Sequence, residues 1–163
     1  MADTQQFCTF LLKDQFFGIP VQQVQEVLKC QEVTRVPLVP DAIRGLINLR
    51  GQIVMAADLR RRFGMEDRPD TAVPLNVVVR TGEGAVSLLV DEIGDVLEVE
   101  EEEEEFESAP ETLLGKPREL VKGVYKLPDH LMLVLDTERA CQTEVLAANH
   151  SLGVNGCGIS RKV

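Results

Sequence analysis

The chain has no tryptophan, one tyrosine and six phenylalanines in 163 residues, which leaves no material for an aromatic stacking platform. Histidine is as scarce. His130 follows Pro128-Asp129 in a turn-like stretch, where an exposed turn residue is the simplest reading, and His150 stands alone. The four cysteines (Cys8, Cys30, Cys141 and Cys157) lie far apart. They form no Cys-x-x-Cys and have no histidine at zinc-ligand spacing, so they read as buried or free thiols of a reducing cytosol. No apolar run approaches the roughly 20 residues of a membrane span. The opening Met-Ala-Asp-Thr-Gln-Gln has neither the basic nor the apolar region of a secretory signal, so a cytoplasmic location is expected. Basic residues are outnumbered too. A net charge of −10 argues against nucleic acid or an anionic membrane as main partner, since both need a basic face.

Catalytic signatures are also missing. There is no Gly-x-Ser-x-Gly, no phosphate loop and no His-Glu-x-x-His. Gly82-Glu83-Gly84 and Gly156-Cys157-Gly158 lack the strand-to-helix context of a dinucleotide site. The enzymatic alternative is a thiol or carboxylate hydrolase, and it requires that turnover vanish on one substitution at Cys30, Glu26 or His130. The expectation is no catalysis, no cofactor and no metal.

The acidity is local. Eight carboxylates fall between Glu98 and Glu107, and without them the balance is −2. Such a run is most simply solvated and held open by self-repulsion. It lacks the alternating spacing and glycine of a calcium loop. Steering of a basic partner is a further role, and it would show as strong salt dependence. The whole chain is 44% apolar, enough for one domain or two small lobes sharing a core.

One stretch, residues 43–58, organises the rest. Two apolar runs flank Arg50-Gly51 and predict strand, turn, strand, with Gly51 supplying the backbone freedom of the turn. Arg50 then sits at a hairpin tip, able to reach a carboxylate of a partner or, alternatively, an acid of its own lobe such as Asp58. The stretch recurs 78 residues on without a gap. Gly45 meets Gly123, Leu49 meets Leu127 and Asp58 meets Asp136. A second echo at a shift of 66 sets Val24-Gln25-Glu26-Val27 against Val90-Asp91-Glu92-Ile93. Two echoes in one order predict two similar β-rich halves, about 7–65 and 75–136, the second longer by 12 where the glutamates lie.

Along the chain, residues 7–12 and 16–19 predict a first hairpin. Val21, Val24, Val27 and Leu28 have helical spacing over two turns. A strand is expected over 31–36, stopped by Pro37 and Pro40, and Asp41 is placed to cap a short helix through Arg44. Residues 59–63 predict a helical turn ended at Gly64. After a proline-marked connector over 66–74 come a second hairpin, 75–80 with 85–90, and a strand over 96–99. Residues 108–117 read as loop, 120–136 as the repeated hairpin turning at Pro128-Asp129, 138–148 as a C-terminal helix and 149–163 as a flexible tail. Many short strands in two echoing halves predict paired small β-barrels.

Asn48-Leu49-Arg50-Gly51, the apolar strand into Asp58-Leu59-Arg60, the earlier Val24-Gln25-Glu26-Val27, Val36-Pro37 to Gly45, and Val90 to Val96 together resemble the CheW-type chemotaxis coupling proteins. The likeness covers roughly residues 7–146. It departs at Met55-Ala56-Ala57, where the family commonly has a proline, and in the glutamate run. The resemblance implies a mainly β fold of two SH3-like five-stranded β-barrel lobes with short helices, as one domain over 1–148. It implies an adaptor, monomeric when free, that joins the cytoplasmic tips of chemoreceptors to the regulatory domain of a CheA-type histidine kinase. A coupling protein of a related pathway (twitching motility or gene regulation) and a stand-alone homologue of the kinase's regulatory domain are the alternatives within that fold. Carried over residue by residue, Val24, Glu26, Gly45, Asn48, Leu49 and Arg50 would belong to the partner-facing surface, with Asp91, Glu92 and Val96 on its second-lobe side. Gly51 would serve the turn, and Gly45 has a purely backbone role as its alternative.

Overall fold

The computed structural model describes residues 4–29, 31–82, 84–100, 105–108 and 119–141. Eleven strands, two complete short helices and a helical pair at 119–120 fall among them. The first hairpin is β1 (Thr4–Leu12) and β2 (Gln15–Pro20), followed by a 3-10 turn and β3 (Val24–Leu28). The organising hairpin is β4 (Ile43–Leu49) and β5 (Gln52–Asp58), running into α1 (Leu59–Arg62). Then come β6 (Leu75–Thr81), β7 (Gly84–Val90), β8 (Glu92–Glu100) and β9 (Glu105–Ser108). The repeated hairpin, β10 (Val121–Lys126) and β11 (Leu131–Leu135), leads into α2 (Thr137–Ala140).

Three local expectations are corrected. Residues 24–28 form a strand, not the second turn of a helix, because pairing with β6 satisfies their backbone and their two valines suit a pleated edge. The strand over 31–36 shrinks to one bridge, Thr34 to Leu46. Asp41 caps no helix: Ile43 enters β4 directly, and the Asp41 carboxylate accepts from Arg61 instead. The strand predicted over 96–99 is longer, filling β8. Of the helix expected over 138–148, residues 138–140 fall in α2, which ends at its C-cap Cys141, and residues 142–148 lie outside the described residues. So do Cys30, Glu101 to Glu104, most of the loop after Ser108 and the 149–163 tail.

The strands form two sheets, in the orders β8-β1-β2-β11-β10-β9 and β3-β6-β7-β5-β4. Neither sheet is one sequence half. The first hairpin joins the late strands, and the second hairpin joins β3, β4 and β5. Parallel contacts of β2 with β11 and of β7 with β5 complete the exchange. The repeat is therefore closer than the sequence echo, and in a different register. Phe10 faces Phe17 as Val79 faces Val86, and Phe10 pairs with Ile93 as Val79 pairs with Val24. The upstream shift is thus 69, not 66. Val24 corresponds to Ile93, Glu26 to Asp95 and Val27 to Val96. The downstream shift of 78 holds, down to the bulges at Gly45 and Gly123 and the N–H groups of Asp58 and Asp136, which donate to Ala42 and Leu120 at 2.7 Å each.

Both lobes share one core. Phe10, Phe17 and Ile19 of one sheet pack with Val77, Val79 and Leu88 of the other, and Phe10 stacks on Phe17 at 5.4 Å. Burial of this apolar surface is the main favourable term in holding the lobes as a single body. At the junction, the buried Arg62 donates from Nη2 to the Arg139 carbonyl at 3.3 Å, while its Nε has no partner among the described residues. Burial holds its pKa below the usual arginine range. The nearby Glu119 charge favours the guanidinium but does not outweigh its desolvation, so the buried charge costs more than it returns. Arg62→Met is therefore expected to hold or raise the midpoint of urea unfolding, and a loss of about 3 kcal/mol would show the charge to be structural.

Candidate functional site

The turn between β4 and β5 is made by Arg50 at φ 53° and Gly51 at φ 88°, the two consecutive positive values that a tight hairpin needs. The Asn48 side chain accepts from the Gly51 N–H at 2.8 Å and locks the turn. Arg50 is thereby aimed at β3, where it forms an ion pair with Glu26. Its partner within the chain is thus Glu26 and not Asp58. The Arg50 hydrogen bond holds the Glu26 carboxyl below its usual range. The Arg50 side chain is still 67% exposed, so the pair is a surface feature.

The other sequence-predicted residues divide between surface and interior. Leu49 is buried in a small cluster with Ile47, Val54 and Val78. Gly45 is buried at φ 147°, with the Thr34 carbonyl lying where a Cβ would stand. Val24 is half-buried against the main core. Asp91 is also turned inward: it accepts from Arg60 Nε at 3.0 Å, Arg68 Nε at 2.7 Å and the Lys13 N–H at 2.7 Å. Glu92 and Val96 lie exposed on β8. The fold therefore joins Glu26 with Arg50 beside Asn48, and sets Asp91, Glu92 and Val96 at and along the other lobe's β8.

Large exposed apolar residues complete the surface. Val27 and Ile53, at 41% and 64%, stand one and three residues from the two members of the Glu26–Arg50 pair. Their equivalents under the 69 and 78 shifts are Val96 and Leu131, each 56% exposed. Each lobe thus presents the same apolar pair from the same two strands. The charges beside them differ, since Asp95 keeps the acid of Glu26 but Pro128 stands where Arg50 does.

A family model for the CheW-like domain matches residues 6–145. The chain belongs to the CheW-like domain family. It is 32% identical over 143 residues to the chemotaxis protein CheW of Klebsiella aerogenes, covering 88% of this chain and 85% of that one. CheW of Bacillus subtilis is 30% identical over 140 residues, covering 86% and 88%. Among solved structures, the scaffolding protein TtCheW of Thermoanaerobacter tengcongensis matches with a TM-score of 0.75 at 26% identity, over 86% of this chain and 92% of that one.

The sequence reading of this CheW-like chain missed an ion cluster beneath the surface. Asp58, almost wholly buried, accepts from Arg68 Nη1 at 3.0 Å to each oxygen and from the Arg60 N–H at 3.0 Å, and lies 3.6 Å from Arg44. Arg68 and Arg60 both continue to Asp91, so a connector residue ties β5 to the β7–β8 corner. Asp58-Leu59-Arg60 was visible as a motif, but nothing near Arg68 marked it. Burial alone would raise the Asp91 carboxyl. The hydrogen bonds from Arg60 and the Lys13 N–H, with the Arg68 and Arg60 charges, outweigh that and hold it below its usual range. A depressed carboxyl contributes stability that is complete above its unfolded pKa, about 3.9, and lost as pH falls through the lower folded value. Wild type is therefore expected to keep its advantage over Asp91→Asn in urea unfolding at pH 7 and to lose it progressively below about pH 4. An advantage unchanged with pH would remove Asp91 as the cause.

No helix among the described residues is long and apolar enough to cross a membrane.

Proposed function

We propose that this chain is a non-catalytic cytoplasmic scaffold that couples chemoreceptor tips to the regulatory domain of a CheA-type histidine kinase. The relatives support the direction, being chemotaxis and scaffolding proteins by name. The observation that carries the reading is the duplicated apolar pair, Val27 with Ile53 and Val96 with Leu131. Two like faces on one rigid core allow one chain to hold two partners at a fixed angle. Different neighbouring charges let each face select its own partner. In this reading Glu26, Asn48 and Arg50 rim the first face, and Glu92 and Val96 belong to the second. Val24, Gly45, Leu49 and Asp91 act from beneath, by fixing the strands that carry those faces.

Ile53→Asp and Leu131→Asp test the division of labour in pull-downs with a co-occurring kinase and receptor fragment. Each should weaken a different contact by about tenfold or more while the other persists. Loss of both contacts, or of neither, by both variants contradicts the two-face reading. Arg50→Glu should weaken one of the same contacts with the thermal midpoint nearly unchanged, because the pair it breaks is solvated. Loss of the fold instead would make Arg50 structural.

A further inference from the structure

Leu38 is 78% exposed, more than any other large apolar residue described, and its backbone is left-handed at φ 61°. A branched side chain in that conformation costs roughly 1–2 kcal/mol. The other two non-glycine residues with positive φ, Lys13 and Arg50, lie in β-hairpin turns, whose geometry calls for it. Leu38 closes no hairpin. It stands between Pro37 and Pro40 in the loop before β4, held out into water at a conformational cost.

The ground beside it is cationic and concave. Arg35, Arg44 and Arg61 line a cleft of about 160 Å³ with Val36, Val39, Pro40 and Asp41. The same three arginines also line a larger cleft of about 500 Å³ beside Arg68. Arg61 is occupied by Asp41 and Asp67. Among the described residues Arg44 forms one ion pair, with Asp58 at 3.6 Å, and Asp67 lies within its electrostatic reach. Arg35 has no ion pair among the described residues. Two guanidinium groups therefore keep donors to offer in a chain whose net charge is −10.

We propose that the Leu38 loop and the Arg35–Arg44 cleft form a third docking surface, which takes a partner protein's segment bearing a carboxylate next to an apolar side chain. The carboxylate would enter between Arg35 and Arg44, and the apolar side chain would cover Leu38. A small inorganic anion satisfies the first contact and leaves Leu38 wet. Asp67 and Asp70, which also line the larger cleft, disfavour a polyanion, so one or two carboxylates fit better than a phosphate chain. This surface is separate from the two lobe faces, and its test uses neither kinase nor receptor, so it stands or falls independently of the coupling role.

The test is fluorescence anisotropy of the full chain with a fluorescein-labelled Leu-Glu-Glu-Leu-Leu-Glu peptide, against the same peptide with glutamine for glutamate. Binding is expected for the acidic peptide, falling with salt, and about tenfold weaker for its neutral counterpart. Arg35→Glu should weaken it about as much. Leu38→Asn should weaken it while the thermal midpoint holds or rises, because asparagine tolerates left-handed backbone. Four results overturn the proposal. Equal binding of the two peptides, or none, is the first. A midpoint lowered by Leu38→Asn would make Leu38 structural. Competition by free glutamate as effective as by unlabelled peptide would mean a small-anion site. Concentration-dependent dimerisation in sedimentation, lost in Arg35→Glu, would mean that the occupant is a second copy of this chain.

Discussion

Gly45→Ala is expected to be among the most destabilising single-methyl changes available to this chain, costing about 3 kcal/mol or more in urea unfolding. Two effects coincide there. The backbone is at φ 147°, which side chains rarely adopt, and a Cβ would stand inside the van der Waals shell of the Thr34 carbonyl oxygen and carbon and of Val33 Cγ1. That carbonyl cannot retreat, because it accepts from the Leu46 N–H at 2.9 Å and closes the edge of the sheet. Gly51 supplies the control. Its φ is 88°, but nothing lies within 4 Å of its would-be Cβ, so Gly51→Asn should cost less than about 1 kcal/mol. The repeat supplies a second comparison. A Cβ on Gly123 would meet the Glu107 carbonyl at 2.5 Å and the Phe106 ring, without positive φ, so Gly123→Ala should fall between the two. If Gly45→Ala and Gly51→Asn cost the same, the close approach of the Thr34 segment is not what fixes glycine there.

Arg68→Ala should be comparably severe, at about 3–5 kcal/mol. Its guanidinium bonds to both oxygens of Asp58, to Asp91 and to the Leu89 carbonyl at 3.0 Å. Removal strands a carboxylate that is 1% exposed, with Arg44 no nearer than 3.6 Å. Desolvation then dominates, because a buried charge loses its compensation while keeping its burial. Arg68→Lys should recover only part of the loss, since an ammonium cannot span two carboxylates and a carbonyl as a planar fork does. Full recovery by lysine would reduce the cluster to simple charge balance. Asp58→Asn combined with Arg68→Ala should cost less than the two single changes summed, by 1 kcal/mol or more, as expected for groups in one network.

What the residues disclosed, and what they hid, follows from how far apart the causes lie. The β4–β5 hairpin was legible because its determinants are consecutive: apolar alternation, Asn48, and Arg50-Gly51 at the tip. The α1 turn was legible for the same reason, from Asp58 to Gly64. Residues 24–28 misled because a valine every third residue is ambiguous over so short a length, and the arbiter, pairing with β6, lies some 50 residues away. The exchange of hairpins between sheets was hidden for a similar reason. Sequence repeats report which pieces are alike, and say nothing of which copy packs with which. The upstream echo was misaligned by three residues because valines and glutamates recur at several offsets there, and only pairing with β1 and β6 selects 69. In the site, Arg50 was recognised while its tie to Glu26 was not, since that tie depends on how the second sheet brings β3 to the hairpin tip. Arg68 sat in a stretch rich in proline and acid, which looks solvated when read alone.

The most direct test of the coupling role is CheA autophosphorylation on receptor-bearing membranes as this chain is titrated in. A bridge that holds two partners by separate faces predicts activation that rises, peaks and falls, because excess chain fills each partner's site separately and parts them. Ile53→Asp and Leu131→Asp should each lower the peak, and mixing the two variants should not restore it, since both faces must lie on one molecule. No activation at any ratio, or a full peak from the mixed variants, would contradict the account.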